Sequence, residues 1–258
     1  MKKAVIVVFV AALTMLSPAL AGGNCGGLAE VVASLPYEDL SVAEEGDLLW
    51  MREEEKLARD VYLAMDDIWG MRIFSQISWS EQSHMDALYA LVDKYGLVDS
   101  VGDNAPGVFT DPDLQLLFND LLAQGSQSIV DALVVGATIE DLDIYDLEGA
   151  LARADNLDLR TVYQNLQKGS RNHLRSFTGV LEANDVVYEP QFLSPADFEE
   201  IVNSSHEQGM LDADGEPMDC PGGNRGNGQY RMNRGDNGPG PGDRARQTYQ
   251  RQHALEQR

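Results

Sequence analysis

Glu81-Gln82-Ser83-His84 puts a carboxylate and an imidazole three positions apart, on one face of any helix that contains them. At about 100° per residue, Phe74, Ile77, Met85, Leu88, Val92 and Tyr95 fall within about 40° of Glu81, and His84 lies about 60° away. The Glu and the His therefore occupy the centre of an apolar stripe, where a helix with only a packing role would carry leucine.

Three further segments show the same anomaly. With Glu54 as reference, Trp50, Leu57, Ala58, Val61, Met65 and Ile68 lie within about 60° on either side. Glu53 and Glu55 point about 100° away, which reads as solvent-facing charge, and Glu55 has Arg59 as an i,i+4 partner. Around Glu140, the residues Ile129, Leu133, Gly136, Ile144, Leu147 and Leu151 fall within about 40° if the helix is continuous, with Asp143 about 60° away. His173 is centred among Leu159, Val162, Leu166, Gly169, Phe177 and Val180, and Ser170 stands where a Glu-x-x-His pair would have its Glu.

Four buried carboxylates without partners would repel one another and either take up protons or unfold the core. Divalent cations remove that conflict. Glu54, Glu81, Glu140 and Asp143 with His84 and His173 give four carboxylates and two imidazoles, a donor set suited to two iron or manganese ions and richer in oxygen than usual zinc sites. Each member also has a packing explanation: His173 as a hydrogen-bonded core residue, Asp143 as the cap of a restarted helix, Ser170 as a close-packing residue or one bonded back to its own helix. Met51, Met65 and Met85 read as core filler, and Tyr62 and Tyr163 as residues bordering the site. Four successive helices each placing a possible ligand at the most buried position is what favours a metal site.

The elements that position these residues have clear boundary signals. Ser41-Val42-Ala43-Glu44 fits a capping box and opens a helix that Gly70 should close. A second helix is predicted over 73–95, ending at Gly96. A long connection follows, with a loop over 98–110 and a short helix capped by Asp111, opened by Pro112 and closed by Gly125. The third long helix covers 126–144 and continues or restarts at Asp146 to reach Ala154; the fourth covers 158–184. The expected fold is all-α, four long helices with a crossover between the second and third, occupying 41–203.

Outside that domain, residues 1–21 read as an export signal: Lys2 and Lys3, an apolar run over 4–16, and the cleavage pattern Ala19-Leu20-Ala21. The apolar run is shorter than the roughly 20 residues of a spanning helix, so no stable membrane insertion is expected after cleavage. Export implies a periplasmic or secreted protein. Residues 22–40 form a Gly-rich lead-in, and the Gly-, Asn-, Arg- and Asp-rich stretch over 204–258 reads as a disordered tail. Within it, Asp212-Ala213-Asp214-Gly215-Glu216 reads as a polar turn rather than a calcium loop. Cys25 and Cys220, the only cysteines, could close a disulfide in an oxidising compartment or remain two thiols. A net charge of -23 and a pI near 4.3 exclude nucleic acid as a partner and favour cations.

The pattern of Glu on the first helix, Glu-x-x-His on the second, Glu on the third and His on the fourth resembles the ferritin-like di-metal carboxylate superfamily. More closely, Glu53-Glu54-Glu55-Lys56-Leu57-Ala58-Arg59-Asp60-Val61-Tyr62, Ser80-Glu81-Gln82-Ser83-His84-Met85, Gly107-Val108-Phe109-Thr110-Asp111-Pro112 and Gly169-Ser170-Arg171-Asn172-His173-Leu174-Arg175 resemble the DUF2202 family. The resemblance implies a ferritin-like four-helix bundle with metal binding by Glu54, Glu81, His84, Glu140 and His173. Ser170 departs from the superfamily's fourth-helix Glu, and Asp143 could supply the missing carboxylate. The implied chemistry is redox with dioxygen or peroxide at a di-iron or di-manganese centre. Metal storage without catalysis and a metal-free structural or partner-binding bundle are the alternatives, and a homo-oligomer is compatible with each.

Overall fold

The computed structural model describes residues 27–218, which form helices α1 (Leu28–Ser34), α2 (Val42–Trp69), α3 (Arg72–Lys94), α4 (Pro112–Gly125), α5 (Ile129–Arg153), α6 (Leu157–Glu182) and α7 (Pro195–Asn203). The fold is all-α; a single antiparallel bridge, Leu211 to Pro217, is the extended pairing among the described residues. The expected export signal, both cysteines and the chain beyond residue 218 lie outside them.

The boundaries follow from local chemistry. Ser41 Oγ accepts from the Glu44 N–H at 3.2 Å and the Ser41 N–H donates to Glu44 Oε2 at 2.8 Å, completing the expected capping box. The other Glu44 oxygen accepts from the Asp155 and Asn156 backbones, so the start of α2 is tied to the α5–α6 connection. Gly70 ends α2 at φ 65°, a left-handed position that an L side chain would strain. Asp111 caps α4 through the Asp113 and Leu114 N–H groups, with Pro112 in the first turn. Helix α5 runs unbroken through Asp143 and Asp146, so neither residue is a cap.

Helices α2 and α3 form one hairpin and α5 and α6 another; α2 also packs on α5, and α3 on α6. The crossover carries α4, which lies against α2 and α5. Two apolar clusters fill the interior. One is built around Val61, Tyr62, Met65, Phe74 and Phe177, the other around Leu48, Leu88, Val162 and Leu166. In α2, α3 and α6 the candidate ligands fall between the residues of one cluster and those of the other; in α5, Glu140 and Asp143 lie between Ile139 and Ile144 of the first cluster, just before Leu147 of the second. The polar centre is therefore a belt at mid-height, closed off by hydrocarbon above and below.

Two segments differ from expectation. The lead-in contains α1, with Val31 and Val32 buried against the α3–α6 side; seven residues with a short apolar run inside Gly-rich surroundings gave too weak a periodicity to read. Residues 204–218 are not a free tail. Glu207 bonds both Arg171 and Arg175, the Leu211 N–H donates to Asn165 Oδ1 at 2.9 Å, and Leu211 and Ala213 are buried. The segment is held by polar contacts to α6, which hydrophobicity along the chain does not reveal. Asp212 does form the expected turn, accepting from the Asp214 and Glu216 N–H groups.

Candidate metal centre

Glu81, from α3, is the centre of the polar belt. Its Oε2 lies 2.7 Å from His84 Nδ1 and its Oε1 lies 2.9 Å from His173 Nδ1. Glu55 of α2 completes the His84 side at 3.1 Å, and Glu140 of α5 the His173 side at 3.4 Å. Two triads result, Glu55/Glu81/His84 and Glu81/Glu140/His173, each with ligand atoms within 4.8 Å of one another and every residue buried. One carboxylate is common to both.

The rest of the site orients these groups. The Tyr62 O–H donates to Glu140 Oε1 at 2.5 Å and lies 3.3 Å from the Gly136 carbonyl, turning the other Glu140 oxygen toward His173. On the far side of His84, α6 approaches so closely that a Cβ on Gly169 would lie 2.6 Å from the ring's Cε1 and Nε2. The two imidazoles stack with centroids 5.8 Å apart.

Electrostatics mark the belt as crowded with negative charge. Burial and the neighbouring Asp146 and Glu55 push Glu54 well above the carboxylate range. Asp143 is raised in the same way, by burial and then by Glu54, Glu140, Glu55 and Glu81. Burial also raises Glu55, to about 7, although His84 beside it pulls the other way. Glu81 behaves differently: burial would raise it, but His173 and His84 together hold it below the usual range. For the histidines, burial favours the neutral ring, yet Glu55 and Glu81 raise His84 to about 10, and Glu81 and Glu140 raise His173. Without another cation, the site keeps its balance by binding protons.

Both oxygens of Glu54 and both of Asp143 are buried with no hydrogen-bond partner. A buried carboxylate left in that state costs several kcal/mol, and native interiors rarely keep one without a function. A donor set of carboxylates and two imidazoles, with orphaned oxygens beside it, fits divalent metal ions.

Residues 44–205 match the family model described as Uncharacterized protein domain (DUF2202). The chain belongs to the DUF2202 family. Uncharacterized protein MJ0754 of Methanocaldococcus jannaschii is 49% identical over 181 residues, covering 70% of this chain and 98% of that protein. A crystal structure of hypothetical protein MJ0754 superposes with a TM-score of 0.66, covering 67% of this chain and 99% of the other at the same identity.

In this DUF2202 chain the six residues singled out by periodicity, Glu54, Glu81, His84, Glu140, Asp143 and His173, all lie in the polar belt. Glu81, His84, Glu140 and His173 enter the two triads; Glu54 and Asp143 stand beside them. Glu55, read as a solvent charge paired with Arg59, is instead buried against His84, while Arg59 bonds Asp60 and Gln82. Glu53 is also buried, and accepts from the Thr110 and Asp111 N–H groups to anchor the crossover. Helix α2 is buried on every side from Met51 to Asp66, so its apolar stripe does not mark the inward face. Ser170 is buried and bonds the Leu166 carbonyl of its own helix.

Proposed function

We propose that this protein is an exported member of the ferritin-like superfamily that holds two metal ions, iron or in its place manganese, and carries out redox chemistry with dioxygen or peroxide. The observation that carries this reading is the pair of triads sharing Glu81. Glu55 and His84 would hold one ion, Glu140 and His173 the other, with Glu81 contributing to both. When bound, the pair would supply electrons to an oxygen species; the substrate beyond that is not encoded in these ligands.

The chain's own residues prepare the site for this role. Burial and the nearby Glu140, Glu81 and Asp143 raise the Tyr62 phenol well above its ordinary range, so it stays protonated and keeps donating to Glu140. Leu57, Val61, Ile144, Leu166, Leu174 and Phe177 exclude bulk water. His84 and His173, 9% exposed each, are the least buried members of the two triads.

Metal analysis of protein purified from its native compartment, made alongside peroxide-consumption assays, tests the reading. About two ions per chain with turnover supports it. Many ions per chain without turnover indicates storage. No bound metal, with stability unchanged by chelation, indicates a bundle held by its own His–carboxylate ion pairs.

A further inference from the structure

Glu140, Asp143 and Asp146 follow one another at three-residue spacing on α5, each step about 4.5 Å of axial rise and about 60° of rotation, so that the series winds from the buried side of the helix toward its edge. Burial decreases along the series: Glu140 and Asp143 are buried and Asp146 is half-buried. The ladder thus leads from the Glu81/Glu140/His173 triad toward solvent. Glu54 of α2 faces its outer rungs, with Asp146 the neighbour that acts on it most strongly. Glu54 is in turn the strongest charged neighbour of Asp143, which also feels Glu140, Glu55 and Glu81.

Among the described residues, no Lys, Arg or His forms an ion pair with Glu54 or Asp143. Both oxygens of Asp143 are buried without hydrogen-bond partners, and those of Glu54 are buried with none at full hydrogen-bond geometry, the Trp50 indole and Asp146 being the neighbours nearest to bonding it. Arg153, near the outer end, bonds Asp47 through Nε at 2.8 Å and through its second terminal nitrogen at 2.9 Å. A structural carboxylate would have a donor or a cation of its own; like charges at this spacing on a helix otherwise destabilise it.

Nor do these residues form a tight ion cage. Among the described residues, the three-ligand groups within 4.8 Å are the two His-containing triads, and they omit Glu54, Asp143 and Asp146. Carboxylates spread more widely than one ion's ligand shell, without an imidazole, suit a partly hydrated divalent cation that is held briefly and released.

We propose that Asp146, Glu54 and Asp143 form a transit site that passes divalent cations from the half-buried face of α5 to the two triads. The proposal rests on the metal-binding reading above. It gives Glu54 and Asp143 a role in delivery, separate from the resident ligand set.

The test is stopped-flow mixing of the metal-free full chain with Co2+, following the visible absorption of the bound ion, with final stoichiometry from elemental analysis. Glu54→Gln and Asp146→Asn preserve shape and remove charge; helical circular dichroism checks that each variant is folded. Both should slow loading about tenfold or more and weaken its dependence on ionic strength, while final Co2+ per chain matches the unaltered protein. The exposed Glu45→Gln should leave the rate unchanged. Equal loading rates in all forms would overturn the transit role, as would a lower final stoichiometry in Glu54→Gln, which would make Glu54 a resident ligand. An unaltered chain that takes up no Co2+ would remove the metal reading and the transit site together.

Discussion

His84 and His173 approach opposite oxygens of the same Glu81 carboxylate, at 2.7 and 2.9 Å, with their rings stacked 5.8 Å apart. Helices α3 and α6, which touch along one side of the fold, thus each contribute an imidazole to a carboxylate that α3 itself carries. Because the carboxylate is shared, loss of Glu81 has a different consequence from loss of any other ligand.

Glu81→Gln should abolish binding of both ions. Glu55→Gln and Glu140→Gln, which each alter one triad, should remove one ion apiece. Elemental analysis after reconstitution and desalting reads all three. Equal losses in the three variants, or one ion retained in Glu81→Gln, would contradict the shared-ligand arrangement.

The helix ends and four of the triad residues were legible because caps and periodicity are local. Ser41, Gly70, Asp111 and Pro112 state where helices begin and stop, and Glu81, His84, Glu140 and His173 interrupt stripes that are otherwise apolar. Glu55 was not legible. A helical wheel assumes one wet face, and α2 has none between Met51 and Asp66, because α3, α4, α5 and the crossover surround it. The buried Lys56–Asp60 pair, with Lys56 also donating to the Ala105 carbonyl, depends on the same long-range wrapping. Docking of residues 204–218 is hidden in the sequence for a related reason: Glu207 and Asn165 look like surface residues until their partners, 36 and 46 positions away, are known.

The metal-free protein should be most stable at mildly acidic pH. Glu54, Asp143 and Glu55 have folded values above their unfolded ones, so the native state binds more protons than the unfolded chain at intermediate pH. His84, raised to about 10, acts in the same direction above its unfolded value. Stability is then lost as pH rises from about 5, through the Glu55 value near 7, to the His84 value near 10. Glu81, lowered, is ionised in both states throughout that window and adds no slope. Melting temperature of the metal-free form should fall across it, and proton release on metal addition at neutral pH should be detectable with an indicator dye. A flat melting profile with no proton release would refute the assignment.

Of two truncations, one ending after Met218 and one ending after Asn203, the second should melt lower. The second truncation removes Glu207 from Arg171 and Arg175 and uncovers Asn165 by taking away Leu211. Glu207→Ala alone should cost about 1 kcal/mol, since the site is half-buried and solvent screens it, equivalent to about 2–4 °C. Arg171 and Arg175 hold Glu207 below the usual range despite its partial burial, so this contribution is present above the unfolded carboxylate value and is lost as pH falls on through the lower folded value. Metal content should not change in either truncation.

Gly169→Ala should empty one half of the site. The new Cβ would lie 2.6 Å from Cε1 and Nε2 of His84, a distance no carbon contact tolerates, and the ring's other edge is fixed against Glu55 and Glu81. The imidazole must therefore tilt away from those carboxylates, breaking the Glu55/Glu81/His84 triad while leaving Glu140 and His173 in place. Overpacking of this kind costs about 1–3 kcal/mol, offset by up to about 1 kcal/mol from alanine's better helix propensity. Gly179→Ala on the same helix provides the control: its exposed Cβ meets nothing within 4 Å, so it should bind both ions and melt slightly higher. Retention of both ions in Gly169→Ala would mean that α6 yields rather than the ring, and that His84 is not held by backbone contact.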